Sequence, residues 1–363
     1  MLLKIISDIQ QFADLELAWG KLTKQPLRSF EWHFSWWKHL GADRELKIYC
    51  FEVEGEIVGI APFFVDSWIG QAKLRFIGSG TTCTDYAEII VKPEYQAAFI
   101  DSIAQDLKQN TSIAILEMEG VSAASHSEMD DELSNYPARR YENSEDQTWV
   151  LSIPETWEKF IASSKKSLRR KAKKAKKRLD KGEIVVRSTL EDIDLDEAFS
   201  ILVRLHQERF EGKGMAGAFA DKNFEKFLYD AVASLAKTNR SEILVGFHDS
   251  TPIAAHLYLL DDECDQLYQA GIASAFMKLE PGHVMLTYGV RRAIEKQNKY
   301  FDFLRGDEPY KPYWGAVPHK LKTIQWVSKA FVPTAVNQTY RAVKKIKQVC
   351  ESFQLLSSTA NAH

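Results

Sequence analysis

The chain has 363 residues, 45% of them hydrophobic and 27% charged, and a net charge of −3. This length predicts two domains, and the composition excludes a wholly disordered or fibrous chain. The near-neutral total hides a polarised chain. Residues 165–181, KKSLRRKAKKAKKRLDK, carry eleven cations and one acid, Asp180, so this segment alone is +10 and the rest sums to −13.

The first residues, MLLKIISDIQQFADLELAW, meet Asp8 almost at once and lack a basic flank, a long apolar core and a small-residue cleavage site, so no secretory signal is read there. The longest apolar stretch, Ile57 to Val65, contains Gly59 and Pro62 and is less than half a membrane span. Cys50, Cys83, Cys264 and Cys350 are scattered, with no C-x-x-C and no histidine at metal-ligand spacing. A reduced cytoplasmic protein without a metal is expected.

In chain order, a strand at Leu2 to Ile6 precedes a helix from Asp8 to Leu22. Ser29 caps an aromatic helix, SFEWHFSWWKHLG, closed by Gly41. A hairpin follows, LKIYCFEVEG and EIVGIAPFFV, turning at Glu54-Gly55. LRFIG and AEIIV read as strands, Pro93 to Leu107 as a helix and SIAILEME as a strand; Ser122 to Asn143 reads as loop or linker. In the second half, TWVLSI is a strand, Pro154 to Asp180 a helix and EIVVRS a strand. Helices Leu195 to Phe210 and Lys222 to Ala236 precede the hairpin EILVGFHDSTPIAAHLYLL. QLYQAGIA, a helix from Pro281 to Gln297, the strands KYFDFLRG and LKTIQWVS, and a basic helix from Val336 to Phe353 complete the order.

Set at an offset of 195 residues, the two hairpins align turn on turn, with Gly59 on Ala254 and Ile60 on Ala255. Each is followed by strand, helix and strand, which predicts a duplicated α/β unit with mixed α+β sheets. The expected boundaries are 1–145, 146–330 and a helical tail at 331–363.

The clearest local pattern is strand, turn, helix, strand at 266–305. Pro281 presets the first helical turn, Gly282 allows a ligand close to the backbone, and the helix start suits a pyrophosphate. A simple βα turn is the plainer reading. The corresponding turn of the first half, VKPEYQAAF, has no glycine.

The words LRFIGSGTTCTDYAEIIV, SLRRKAKKAKKRL, LHQERFEGKGMAGAF, LEPGHVML and FDFLRGDEPYKPYWG resemble the GNAT-type acyltransferases of the CelD-like cellulose-biosynthesis group, distant relatives of the FemABX transferases. The resemblance runs from about Ser29 to Trp326. It implies a tandem duplicated GNAT-like (acyl-CoA N-acyltransferase) fold, with a degenerate first copy and a second copy binding acetyl-CoA or another acyl-CoA. The sequence departs from ordinary GNAT enzymes in lacking their glycine-rich phosphate loop; Glu280-Pro281-Gly282-His283 stands in its place. On this resemblance Gln269, Ala270, Gly271, Lys278, Pro281, Gly282, His283 and Val284 are the expected contacts to acyl-CoA. The expected activity is acyl transfer to an amine or hydroxyl of a small molecule or glycan, in polysaccharide or envelope metabolism.

Such chemistry needs a base for the attacking group, donors for the oxyanion and an acid for the thiolate. Asp307 and Glu308 are candidate bases and Tyr310 a candidate acid; Arg305, Lys311 and Trp314 border them. The plainer alternative pairs Arg305 with Asp307 and packs Tyr310 and Trp314. His256, inside IAAHLYLL, is either a base facing the acceptor or a satisfied core histidine. His283 either approaches a phosphate or faces solvent. His206 and Arg209 precede a loop with Gly212, Lys213, Gly214 and Gly217, which is either a closing lid or a simple linker. In the aromatic helix Trp32 and Trp36 share a face and are read as core.

Leu168, Ala172, Ala175 and Leu179 make a narrow apolar stripe, so 165–181 can dock as a helix with its cations outward. Anionic partners compatible with it are CoA phosphates, a lipid surface at the inner membrane face, tRNA, or the protein's own acidic surface. Sequence-specific DNA binding is not expected. Three functions compete: an acyl-CoA-dependent transferase, a FemABX-like transferase using aminoacyl-tRNA, and a non-catalytic binding protein on the same fold.

Overall fold

In the computed structural model residues 1–329 are described, apart from 69, 81, 83, 111, 123–132, 134–136, 144–145 and 213, together with residue 338. The expectations concerning Cys83, Lys213, Cys350 and the C-terminal helix from Val336 lie outside the described residues. The first half holds β1 (Leu2–Ile6), α1 (Ile9–Ala13), α2 (Glu16–Leu22), α3 (Phe30–Leu40), β2 (Glu45–Val53), β3 (Glu56–Trp68), β4 (Gln71–Phe76), β5 (Ile90–Val91), α4 (Gln96–Gln109), β6 (Ile113–Ser122) and β7 (Ala138–Asn143). The second holds β8 (Gln147–Ser152), α5 (Trp157–Ser163), α6 (Lys166–Asp180), β9 (Val185–Ser188), α7 (Leu195–Glu211), α8 (Lys222–Ala236), β10 (Ser241–His248), β11 (Thr251–Leu260), β12 (Cys264–Ile272), α9 (Pro281–Glu295), β13 (Tyr300–Arg305), α10 (Tyr310–Tyr313) and β14 (Val317–Ser328).

Two expected helices are each broken in two. Asp8 caps α1, and the chain restarts at Glu16, which lets Phe12 and Trp19 stack in one core. Between α5 and α6 the hydroxyls of Ser163 and Ser164 both donate to the Phe160 carbonyl, competing with the helical ladder, and Ser164 and Lys165 are extended. The stretch Ser122 to Asn143, read as loop, contains the strand β7.

The duplication is visible in the sheet. The orders β1-β2-β3-β4-β6 and β9-β10-β11-β12-β13 both run through three antiparallel pairings and then a parallel one. Both hairpins turn on two positive-φ residues, Glu54-Gly55 and Asp249-Ser250, the geometry that suits strand twist. Their register shifts also coincide at the offset of 195, between Phe51 and Glu52 and between Gly246 and Phe247. One continuous fourteen-stranded sheet of the described residues joins the copies through β8 and β14. In β14, Val317 to Lys320 pair with β8, while Leu321 to Val327 pair with β6.

The aromatic helix α3 is core, as its stripe predicts. Trp32 is edge-on to Phe227 and Tyr268 of the second lobe, and Trp36 lies against Phe64 of the first. Their indole N–H groups donate to Thr84 and Thr82. A charged link crosses the same interface. Arg305 donates from Nε and from its backbone N–H to Asp85, at 2.8 and 2.9 Å, and Asp85 is 1% exposed. The alternative Arg305–Asp307 pair is therefore not formed; the fully buried carboxylate across the interface takes the guanidinium. Burial nonetheless holds the Asp85 carboxyl above its usual range, with Arg305 opposing that effect.

Two consequences can be measured. Arg305→Ala strands Asp85 in the interface and is expected to cost about 3–5 kcal/mol in denaturant unfolding, whereas a loss under 1 kcal/mol would show that Asp85 finds other partners. Acidification is the second. Burial pushes the His33 and His256 imidazoles down to about 4 and about 3. Between the ordinary value near 6.5 and these folded values the unfolded chain binds more protons, so their stability contribution, full above 6.5, is lost as pH falls. Asp302, with its carboxyl raised to about 7, and Asp85, raised as well, act in the opposite direction. Unfolding free energy should fall from pH 6.5 towards 4, each histidine contributing at most about 1.4 kcal/mol per pH unit. A rise over that range would mean that the histidines are charged in the fold.

Candidate active site

Strands β12 and β13 pair in parallel for three positions, Cys264 with Tyr300, Asp265 with Phe301 and Gln266 with Asp302, and then part. Each strand has a local cause. In β12 the register slips at Tyr268, since Leu257 faces Gln269 while Tyr258 faces Leu267. In β13 the ladder groups are taken by side chains. Asp302 accepts the Leu304 N–H at 2.7 Å, and buried Lys311 Nζ donates to the carbonyls of Leu304, Arg305 and Gly306 at 3.1, 2.7 and 3.0 Å. With those groups satisfied, nothing pulls the strands together again.

A cavity of about 380 Å³ lies beside this opening. Seven residues expected from the sequence line it: Arg209, His256, Ala270, Pro281, Gly282, His283 and Tyr310. Lys171, Leu267, Ile272, Met277, Glu280 and Leu286, not among the individually named contacts, complete the wall. A methyl added at Gly282 would stand 3.0 Å from Ile272 Cδ1, so the glycine keeps this corner open.

The charges of the wall are arranged by α6. Leu168, Ala172 and Ala175 are buried, as the stripe predicts. One flank clamps the turn before α9: Lys174 and Lys171 lie 3.1 and 3.7 Å from Glu280, and Arg178 donates to the Leu279 carbonyl. The bond from Lys174 chiefly holds the Glu280 carboxyl below its ordinary range. Glu280 itself is left-handed, φ 54°, which turns the chain sharply into Pro281.

His283 does not face solvent. It stacks on Trp314, accepts from Lys171 Nζ at Nε2 over 3.0 Å, and is held below its ordinary pKa by burial and then by Lys171. Its Nδ1 is buried and has no hydrogen-bond partner among the described residues. His256 is 2% exposed and bonds Tyr258 Oη at 3.1 Å. With a pKa near 3, set by burial and then by the charge of Arg209, it stays neutral and is a weak base. Tyr310 packs on Phe303; burial, then Glu308, raises its phenol above the ordinary range, so it retains its proton. Arg209 makes no ion pair among the described residues.

The other expected residues stand elsewhere. A methyl at Gly271 would lie 2.6 Å from the His206 backbone nitrogen, so Gly271 marks close packing of β12 on α7. His206 is itself buried among Phe210 and Phe219. Val284 is core, Lys278 is exposed, and Gln269 pairs with Leu257. Asp307 accepts from Gln147 and Trp149 at 2.8 and 3.3 Å, and Glu308 pairs with Lys311 at 2.9 Å. Trp314 is buried on Phe160. One titratable group went unnoticed: Asp302, at the point where the strands part, accepts from Tyr86 Oη of the first lobe, which in turn accepts from the Thr148 hydroxyl. Burial and nearby Asp85 push it up, and the Tyr86 bond opposes them, for a value of about 7. The signal was an acid inside the apolar strand YFDFL.

Among the described residues no cluster of His, Cys, Asp or Glu is placed to hold a metal. None of their helices is long and apolar enough to cross a membrane.

Residues 162–312 match the family model described as an acetyltransferase (GNAT) domain. No curated protein matches the chain. Among solved structures the chain is similar to FemX, with a TM-score of 0.63 at 11% identity over 90% of this chain and 97% of that one. It is also similar to a conserved protein of unknown function from Bacteroides thetaiotaomicron, with a TM-score of 0.58 at 11% identity over 90% and 100%. At such identities these likenesses show the fold alone. The mixed α/β fold is thus that of FemX, and residues 162–312, which hold the parted strands and the cavity, form a GNAT acetyltransferase domain, the mark of an acyltransferase.

Proposed function

We propose that the chain moves an acetyl or other acyl group from acyl-CoA to an amine or hydroxyl of a small molecule or glycan, at the cavity beside β12 and β13. The observation that carries this reading is the convergence of the parted strands, the open corner at Gly282 and the protonated phenol of Tyr310 on one cavity. When bound, acyl-CoA supplies an activated thioester. The residues present fit it: Leu267, Ile272 and Leu286 give apolar walls, and His283 Nδ1, the nitrogen left to carry the proton when Lys171 donates to Nε2, is a buried donor awaiting an acceptor.

Tyr310 Oη holds a proton at the wall for a leaving sulfur. Arg209, without an ion pair among the described residues, suits an anionic part of the acceptor or donor. His256, neutral, contributes a hydrogen bond rather than proton abstraction. Asp302 is the group poised near neutrality, held by Tyr86 beside the cavity rather than in its wall. Polysaccharide or envelope metabolism is the setting that the resemblance of the FDFLRGDEPYK word favours, and the free thiols of Cys50 and Cys264 agree with a cytoplasmic one. An aminoacyl-tRNA donor is the competing reading, and the match of residues 162–312 to a GNAT domain favours acyl-CoA over it.

Three measurements bear on this. Acetyl-CoA or CoA should raise the melting temperature, by about 2.7 kcal/mol of added stability at a hundredfold excess over Kd; no shift with either, alongside a shift with charged tRNA, would transfer the donor role to tRNA. Gly282→Val should drive Ile272 into the cavity and raise KM for the acyl donor roughly tenfold or more while the melting temperature changes little. Tyr310→Phe should lower kcat about 10²-fold with KM nearly unchanged. An unaltered kcat would leave Tyr310 as packing only.

A further inference from the structure

The basic helix α6 has three sides, and two of them are accounted for. Leu168, Ala172 and Ala175 face the core, and Lys171, Lys174 and Arg178 clamp the turn before α9. Opposite the buried stripe run Lys166, Arg170, Lys173, Lys177 and Lys181, at spacings of 4, 3, 4 and 4. At 1.5 Å per residue this row is about 22 Å long. Among the described residues none of the five makes an ion pair; the acids near the helix are taken, Asp180 by Lys176, Glu280 by Lys174 and Glu183 by Arg178. Like charges four apart destabilise a helix, and here nothing within the described fold offsets them.

We infer that this row docks the chain on an anionic lipid surface. The charge is complementary to a plane of lipid phosphates, and each cation near such a surface adds to binding. The row holds no aromatic or amide side chain, the groups with which proteins stack on or read the bases of RNA. Long aliphatic stems carrying point charges suit mobile head groups instead. Met277, 60% exposed, stands on the very turn that the other flank of α6 clamps and supplies an apolar contact at the rim of the cavity. A docked α6 therefore sets the cavity beside the lipid head groups, within about one helix diameter. The inference rests on α6 and not on the acyl-transfer reading, so either can fail without the other.

The test is co-sedimentation of the full chain with vesicles of phosphatidylcholine alone or with about one-third phosphatidylglycerol, over a series of salt concentrations. The expected result is binding to the anionic vesicles only, released by salt. The combined variant Lys166→Gln, Arg170→Gln, Lys173→Gln and Lys177→Gln should lower partitioning roughly a thousandfold with its circular dichroism unchanged. Equal wild-type binding to both vesicles, or salt-insensitive binding, would overturn the inference without reference to any variant. So would a folded variant that binds as the wild type does. Tighter binding to a stem-loop RNA than to anionic vesicles, lost in the same variant, would overturn it in favour of RNA.

Discussion

The candidate site depends on one buried ammonium. Lys311 is 1% exposed, and its Nζ reaches three successive carbonyls at the end of β13 as well as Glu308. Burying a lysine is costly unless its donors are all used, and here the backbone supplies the acceptors. Those carbonyls are the ones a continuing β13 would expose or pair. By gathering them, Lys311 ends the strand, holds Gly306 at a φ of 114°, and sends the chain into α10. Tyr310 then reaches the cavity and Trp314 the face of His283.

The two copies illustrate how one topology yields a candidate site in one place and a support in the other. In the first lobe the parallel pair β4 and β6 is stapled by charge: Glu117 of β6 takes Lys73 at 2.6 Å and Arg75 at 2.9 Å, both from β4. Its helix α4 follows a turn without glycine and packs Phe99 against Phe51 and, through the bare face of Gly59, onto β3. In the second lobe the stapling residues are absent from the parting strands and the corner carries Gly282. The first copy instead lends Trp32, Asp85 and Tyr86 to its neighbour, fixing the outer side of the strands that part.

What the sequence revealed was what neighbours in the chain decide. Hairpin turns, the Pro281-Gly282 helix start, the stripe of α6 and the aromatic stripe of α3 depend on residues within one or two turns of each other, and the structure bears them out. Contacts formed across the chain were not legible. Lys171 reaches His283 over 112 residues, Tyr86 reaches Asp302 over 216, and Arg305 chose Asp85, 220 residues away, over Asp307, two away. His283 looked like a surface position because helix periodicity cannot foresee Trp314 arriving from another element. The second hairpin strand gave no hint whether His256 was wall or core; it is both, and burial makes it neutral.

The strand β14 has a consequence for how the molecule comes to exist. It is an inner strand of the joined sheet, laid between β8 and β6, although it is made after almost every other element. Until residue 327 has been synthesised, β6 lacks its partner and presents an open edge, the kind that invites wrong pairing. Its closure joins residues some 200 positions apart, a slow step for any chain. The copies that look like two beads on a string are therefore sewn together by the thread that leaves the second bead. Cutting between the copies would deprive the first of a strand from its interior.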